Sequence, residues 1–339
     1  MGKNTFGAPI MLHYDIHCPK CGGHSFKSWE SNGKTRYACR DCGLSTRNPQ
    51  FIKIGEMTID KKCSEFDIDE WLKSYKTVQH LKHKSSDEQD EANVIIKTDH
   101  DYIIYQPIGD MHIGSGGMNL DLFTSYTNAL LEDDRIYSSL SGDDLDLFCS
   151  FKNFLASQQM ILTPQEQAMF LEKWVDKIGH KLFFTGYGNH AEMEERNTAF
   201  NTTRHVLGRK LIYHNGIGRI RLHLNDIEYK ICSTHKTRYN SSINQTHGLK
   251  QLARMDLPNE DIYIGADKHN PAAEMFPIGG EYKWFLQLST LKANDGFGKR
   301  YFSYWHYADS PALILGTKEK SVALFRSMFE AQKVLGGIK

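Results

Sequence analysis

"YIIYQPIGDMHIGS", residues 102 to 115, decides how this chain is read. Its first seven residues are apolar, aromatic and β-branched enough for a buried strand, and the run stops at Gly109 before two metal-type side chains, Asp110 and His112. Alone, this would be a strand spilling into a solvated turn. The same transition recurs downstream. "RIYSSLS" ends in "GDDLD" (142–146), "KLFFTGY" in "GNHAE" (188–192), "EYKICST" in His235 and Lys236, and "DIYIGA" in "DKH" (267–269). Helical stretches lie between these strands: "NLDLFTSYTNALLEDD" (119–134), "TPQEQAMFLEKWVDKIG" (163–179) and "EERNTAFNTTRHVLGRKL" (194–211). Strands alternating with helices predict a layered α/β fold, in which loops at strand ends gather into one site.

That site would be built from Asp, Asn and His, the ligands of hard-to-borderline divalent ions, and a carboxylate can bridge two ions. A pair of such ions clamps a phosphate and turns a water into hydroxide, so phosphoester hydrolysis is the chemistry expected.

Taken in order, "GDMHIGS", "SGDDLD", "GYGNHAE", "STHK" and "ADKHNP" resemble the DxH, GDxxD, GNH[DE], H and GHxH motifs of the calcineurin-like metallophosphoesterase superfamily, over roughly residues 100–315. The resemblance implies a four-layer αββα sandwich. It also implies one ion on Asp110, His112, Asp143 and His269, and a second on Asp143 as bridge with Asn189 and His235. His190 matches the histidine that contacts the phosphate and assists the leaving oxygen, and Asp146 the carboxylate that orients it. Two departures stand out. Ala191 occupies the place of the usual acid, leaving open whether Glu192 serves instead; Asp267 replaces the first histidine of GHxH, as a substituted oxygen ligand or as a turn residue. An oxygen-rich second site favours manganese, with magnesium, iron and zinc as alternatives. His180, His205, His214, His223, His247 and His306 belong to no motif.

The choice of phosphoester follows from smaller features. Ile113 and Leu147 stand where protein phosphatases of the superfamily show Gly and Arg, whereas "DMHIG" is similar to the DxHxG start of SbcD-type DNA-repair exonucleases and of small phage-encoded phosphoesterases. A DNA or RNA phosphodiesterase is therefore expected. The alternatives are a small-molecule or protein phosphoesterase, and a nucleic-acid-binding regulatory protein with an inactive phosphoesterase domain.

Residues 1–60 have a different character. Cys18 and Cys21 face Cys39 and Cys42 across 17 residues, and two CxxC pairs supply the four thiolates of a structural zinc ribbon. Between residues 18 and 53, seven basic residues (Lys20, Lys27, Lys34, Arg36, Arg40, Arg47, Lys53) outnumber two acidic ones (Glu30, Asp41), a local charge of +5. Trp29 and Tyr37 are interleaved with them. Lys27, Trp29, Lys34, Arg36, Tyr37, Arg40 and Arg47 are candidate nucleic-acid contacts; the aromatics can equally be the ribbon's own core. A short helix around residues 66–75 and the polar run "HKSSDEQDEAN" (83–93) then read as a linker over 61–95, ahead of the metallophosphoesterase domain at 96–339.

The 339 residues carry no net charge, so a nucleic acid must be held by a local basic patch. Seven cysteines, four of them in CxxC pairs, point to a reducing compartment, with Cys63, Cys149 and Cys232 as ordinary thiols. No stretch has the length of a membrane span or the pattern of a secretory signal, which suggests a cytoplasmic protein without a membrane partner. A partner ATPase and self-association both stay open.

Overall fold

The computed structural model describes residues 14–18, 20–23, 25–31, 34–46, 50–53, 68–84, 91–147, 160–241, 243–292 and 309–337. Two compact units divide the chain, Met1–His80 and Leu81–Lys339.

In the first unit, β1 (Tyr14–His17) pairs antiparallel with β5 (Gln50–Lys53), and β2 (Phe26–Ser31), β3 (Lys34–Cys39) and β4 (Ser45–Thr46) form an antiparallel sheet. Each CxxC pair ends in a glycine of positive φ, Gly22 (71°) and Gly43 (72°), the conformation that turns the chain back on itself. The following helix, α1 (Ile68–Lys84), is longer than the ten residues expected. Asp69 and Glu70 suit its N-terminus, and "TVQHLKHK" contains no Gly or Pro to stop it.

The second unit stacks two sheets. One has the order β14-β15-β13-β12-β11-β6, built from β6 (Glu91–Ile96), β11 (Ile217–Leu224), β12 (Ile227–Thr234), β13 (Ile262–Gly265), β14 (Ala272–Ile278) and β15 (Glu281–Gln287). β6 starts inside the stretch read as linker, because "EANVII" buries Ala92 and Ile96 while pairing with β11. The other sheet runs β17-β16-β7-β8, from β7 (Tyr102–Ile108), β8 (Ile136–Leu140), β16 (Ala312–Gly316) and β17 (Val322–Phe325). A parallel bridge from Ser138 to Leu182 carries it on towards β9 (Phe184–Gly186) and β10 (Ile212–His214).

Period-two alternation sorts the side chains into layers. Ile103, Tyr105, Leu313 and Leu315 meet Ile220, Leu222, Ile231, Ile262, Ile264 and Leu286 between the sheets. On the outer face of the second sheet, Ile104, Ile108, Ile136 and Ile314 pack against α2 (Leu120–Glu132), α3 (Pro164–Ile178) and α7 (Met328–Gly337). On the outer face of the first, Cys232, Tyr263 and Phe285 pack against Leu249, Leu252 and Ala253 of α6 (His247–Met255). The result is a four-layer αββα sandwich. α3 begins where its capping box predicts, with Thr163 and Glu166 bonded reciprocally and Pro164 in the first turn. The stretch 194–211 is not one helix. Ala199 adopts a left-handed φ of 57° and Asn201 caps a new start, so α4 (Asn189–Thr198) and α5 (Thr202–Leu207) replace it.

Candidate metal centre

β7, β8 and β9 run parallel, as do β12 and β13, and their carboxyl ends bring the five predicted loops together. Backbone bonds lock the loops to each other: Asp110 N–H donates to the Gly142 carbonyl (3.1 Å), His112 N–H to that of Asp143 (3.0 Å) and Ala266 N–H to that of His235 (3.1 Å). The fit is tight enough to force strained backbone. Asp110, His112, Asp143, Asp267 and His269 all have positive φ, between 49° and 67°, five of the eight non-glycine residues that do so among those described. Such strain persists only where the surroundings over-determine it, and it concentrates at functional sites.

The side chains converge in three overlapping groups. Ligand atoms lie within 4.8 Å of one another in Asp110, His112 and His269, in His112, Asp143 and His190, and in Asp110, Asp143 and His235. His269 Nε2 lies 3.2 Å from Asp110 Oδ1 and 3.3 Å from His112 Nε2. His235 Nε2 lies 2.8 Å from Asn189 Oδ1 and 3.3 Å from Asp143 Oδ2. Asp143 Oδ1 accepts the His190 N–H at 2.9 Å, so this carboxylate caps the N-terminus of α4, where Gly188 has no side chain to do so. Asp267 sits at the margin, partly exposed, with Oδ1 4.0 Å from His235 Nε2, Oδ2 3.8 Å from Lys236 Nζ and its N–H on Asp110 Oδ2 (3.0 Å).

Metal ions suit this arrangement because acceptors face acceptors. His235 Nδ1 donates to the Ser141 carbonyl at 2.9 Å, which leaves Nε2 with a lone pair aimed at two oxygens. Only a cation, a proton or a metal, makes that contact favourable. Burial alone would lower the His235 pKa, but Asp143 and Asp110 outweigh it and push it up to about 10, so a proton takes the cation's place. His112 behaves oppositely: burial, with help from His190 and Lys292, brings it down to about 4 against the pull of Asp146. It is neutral near pH 7, as a metal ligand must be. Burial would raise Asp110 and Asp143; for Asp110 chiefly His269, and for Asp143 chiefly His235 and His190, hold them below the ordinary carboxylate range.

Asp146 corrects an expectation. Its carboxylate does not orient His190; it faces His112 Nδ1 (3.1 Å) and Lys292 Nζ (3.0 Å), and it is the Asp146 backbone carbonyl that takes the His190 Nδ1 proton. Glu192 turns away to pair with Arg196 one helical turn on, so it does not stand in for the acid missing at Ala191. A sixth strand end, outside the five motifs, also supports the cluster. After β15, Thr290 Oγ1 and Leu291 N–H both donate to the Asp110 carbonyl (2.8 and 3.0 Å), and Lys292 reaches Asp146. "LSTLK" contains no metal-type residue to signal this.

In the first unit, Cys18 Sγ lies 3.5 Å from Cys42 Sγ and Cys21 Sγ 3.6 Å from Cys39 Sγ, with all four sulfurs within 4.8 Å of one another. Tetrahedral zinc at its usual bond length spaces sulfurs by about 3.8 Å, so the four thiolates fit it. The β2–β3 register divides the candidate nucleic-acid contacts. Trp29 pairs with Arg36 and Lys27 with Ala38, placing Lys27, Trp29 and Arg36 on one face, while Tyr37 opposite Ser28 lies on the other. Lys34 sits opposite Ser31, Arg40 is exposed in the second CxxC turn, and Arg47 lies outside the described residues.

No protein-family model and no curated protein matches this chain. Solved structures resemble it in fold: Vps29 from Cryptosporidium parvum (15% identity, 67% of this chain and 98% of that one, TM-score 0.38), the phosphoesterase YfcE from E. coli (12%, 66% and 99%, 0.35) and the nuclease MPE from Pseudomonas putida (12%, 65% and 87%, 0.31). All three likenesses are weak. The four layers form an α/β sandwich that carries a cluster of Asp, Asn and His at the carboxyl ends of its strands. Among the described residues no helix is long and apolar enough to cross a membrane.

Proposed function

We propose that this protein is a two-metal phosphoesterase acting on the phosphodiesters of nucleic acid. The observation that carries the reading is the set of buried acceptors around His235, whose Nε2 faces Asn189 Oδ1 and Asp143 Oδ2 and needs a cation between them. When bound, two divalent ions would supply Lewis acidity at the phosphoryl oxygen and an activated water for in-line attack. Asp110, His112, Asp143 and His269 would hold one ion, and Asp143, Asn189, His235 and Asp267 the other. Oxygen donors outweigh nitrogen in the second set, which favours manganese or magnesium over zinc. His190 has its Nδ1 committed to the Asp146 carbonyl, so Nε2, 4.0 Å from Asp143 Oδ2, is the atom available to protonate a leaving oxygen.

Nucleic acid is favoured as substrate by the basic first unit, with its +5 charge over residues 18–53. Incubation with labelled single- and double-stranded DNA and RNA, a small phosphodiester and a phosphomonoester, across manganese, magnesium, zinc and iron, tests this. Metal-dependent cleavage of a polynucleotide is expected. Hydrolysis of the monoester alone would favour a small-molecule or protein phosphatase, and metal binding without turnover a regulatory binding protein.

A further inference from the structure

Lys292 is a cation placed where cations are to be bound. It enters from the end of β15, the strand end that carries no metal-type residue, and its side chain is largely buried. Its Nζ shares one atom, Asp146 Oδ1, with His112 Nδ1, at 3.0 and 3.1 Å. The backbone beside it is tied to the metal-type loop, since Lys292 N–H donates to Thr290 Oγ1 (2.9 Å), which itself donates to the Asp110 carbonyl (2.8 Å). The position is therefore set by the site and not by an outer surface.

A fixed positive charge here opposes metal binding, so support of the ions does not account for it. An anion does. A substrate phosphate brings at least one negative charge to the centre and gains more as the attacking oxygen arrives, and a lysine already desolvated and held beside His112 meets that charge without reorganising. The opposite flank has its own cation, Lys236, 3.8 Å from Asp267 but mostly exposed. Lys292 is the buried one. We propose that Lys292 is a phosphate-binding residue of this centre, holding non-bridging oxygens of the substrate on the Asp110–His112 side while Asp146 keeps its ammonium in place. This rests on the two-metal reading above.

Competitive inhibition by inorganic phosphate tests it, with the full-length manganese-loaded protein acting on a small phosphodiester, beside calorimetric titration of Mn²⁺. Lys292→Met is expected to weaken phosphate inhibition and raise KM by about ten- to a hundredfold, the effect of one charge-assisted hydrogen bond. Its affinity for Mn²⁺ should be no weaker than the parent's, and Lys292→Arg should restore phosphate inhibition to within about threefold. A general loosening of the site would instead weaken metal and phosphate together, which overturns the assignment, as does an unchanged phosphate constant in a folded Lys292→Met protein. Should Lys292→Met not fold, Lys292→Gln answers the same question. A parent protein that binds no Mn²⁺ overturns the two-metal reading and this assignment with it, whereas a parent that binds two ions beside an unaffected Lys292→Met overturns this assignment alone.

Discussion

His235 shows how one residue reports on the whole cluster. Its folded pKa of about 10 stands above the ordinary 6.5, so its protonation stabilises the metal-free protein fully below pH 6.5, and that contribution disappears as the pH rises towards 10. Chelator-treated protein should therefore lose at least about 5 °C of Tm between about pH 7 and pH 10. His235→Asn should show no such slope, and added Mn²⁺ should abolish it in the parent by replacing the proton. A parent profile as flat as the variant's would mean that Asp143 and Asp110 do not hold the proton as the geometry implies. Asp144, beside Asp143, has the opposite fate: burial raises its carboxyl to about 7, and its Oδ2 accepts from Thr185 Oγ1. Two adjacent aspartates thus differ in use because one faces the cluster and the other the core.

At the scale of elements, the strand ends work because their loops interlock without side chains in the way. A Cβ on Gly188 would lie 2.1 Å from Asp143 Oδ1 and 2.2 Å from Asp143 N, contacts that cannot be met without moving Asp143 or α4. Gly188→Ala should cut turnover by about a hundredfold or more, the usual result of displacing reacting groups by an ångström, while circular dichroism stays native. Wild-type rates in that variant would show that Asp143 is not held by α4. The five strand ends are legible in the sequence because each couples an apolar run to a sharp change of chemistry, and the ends of β7, β8, β9, β12 and β13 lie where that pattern puts them. Less is legible where the determinant is backbone or context. Nothing in "GDDLD" says that Asp146 turns to His112, and nothing in "LSTLK" marks a strand end that supports Asp110. "EANVII" is hidden by its charged neighbours, and the break at Ala199 is marked only by the weak helix formers around it, Asn197, Thr198, Asn201 and Thr202.

Across the whole molecule, net charge is zero while residues 18–53 carry +5, so the attraction for a polyanion is local. Lys27, Trp29 and Arg36 share a face of the β2–β3 hairpin. Replacing all three by Ala should weaken duplex binding and lower the salt slope by about two, because Lys27 and Arg36 would each neutralise one phosphate, yet leave hydrolysis of a small phosphodiester untouched. An unchanged slope would assign that face another partner or a purely structural use. The proposed chemistry depends on two ions at the strand-end cluster, and the most direct test is the number of Mn²⁺ ions bound per chain in equilibrium titration of zinc-replete protein. Two ions are predicted for the parent, one for Asp267→Ala, and none at comparable affinity for Asp143→Asn, whose carboxylate serves both. A parent that binds fewer than two, or an Asp143→Asn protein that binds two as tightly, would contradict it.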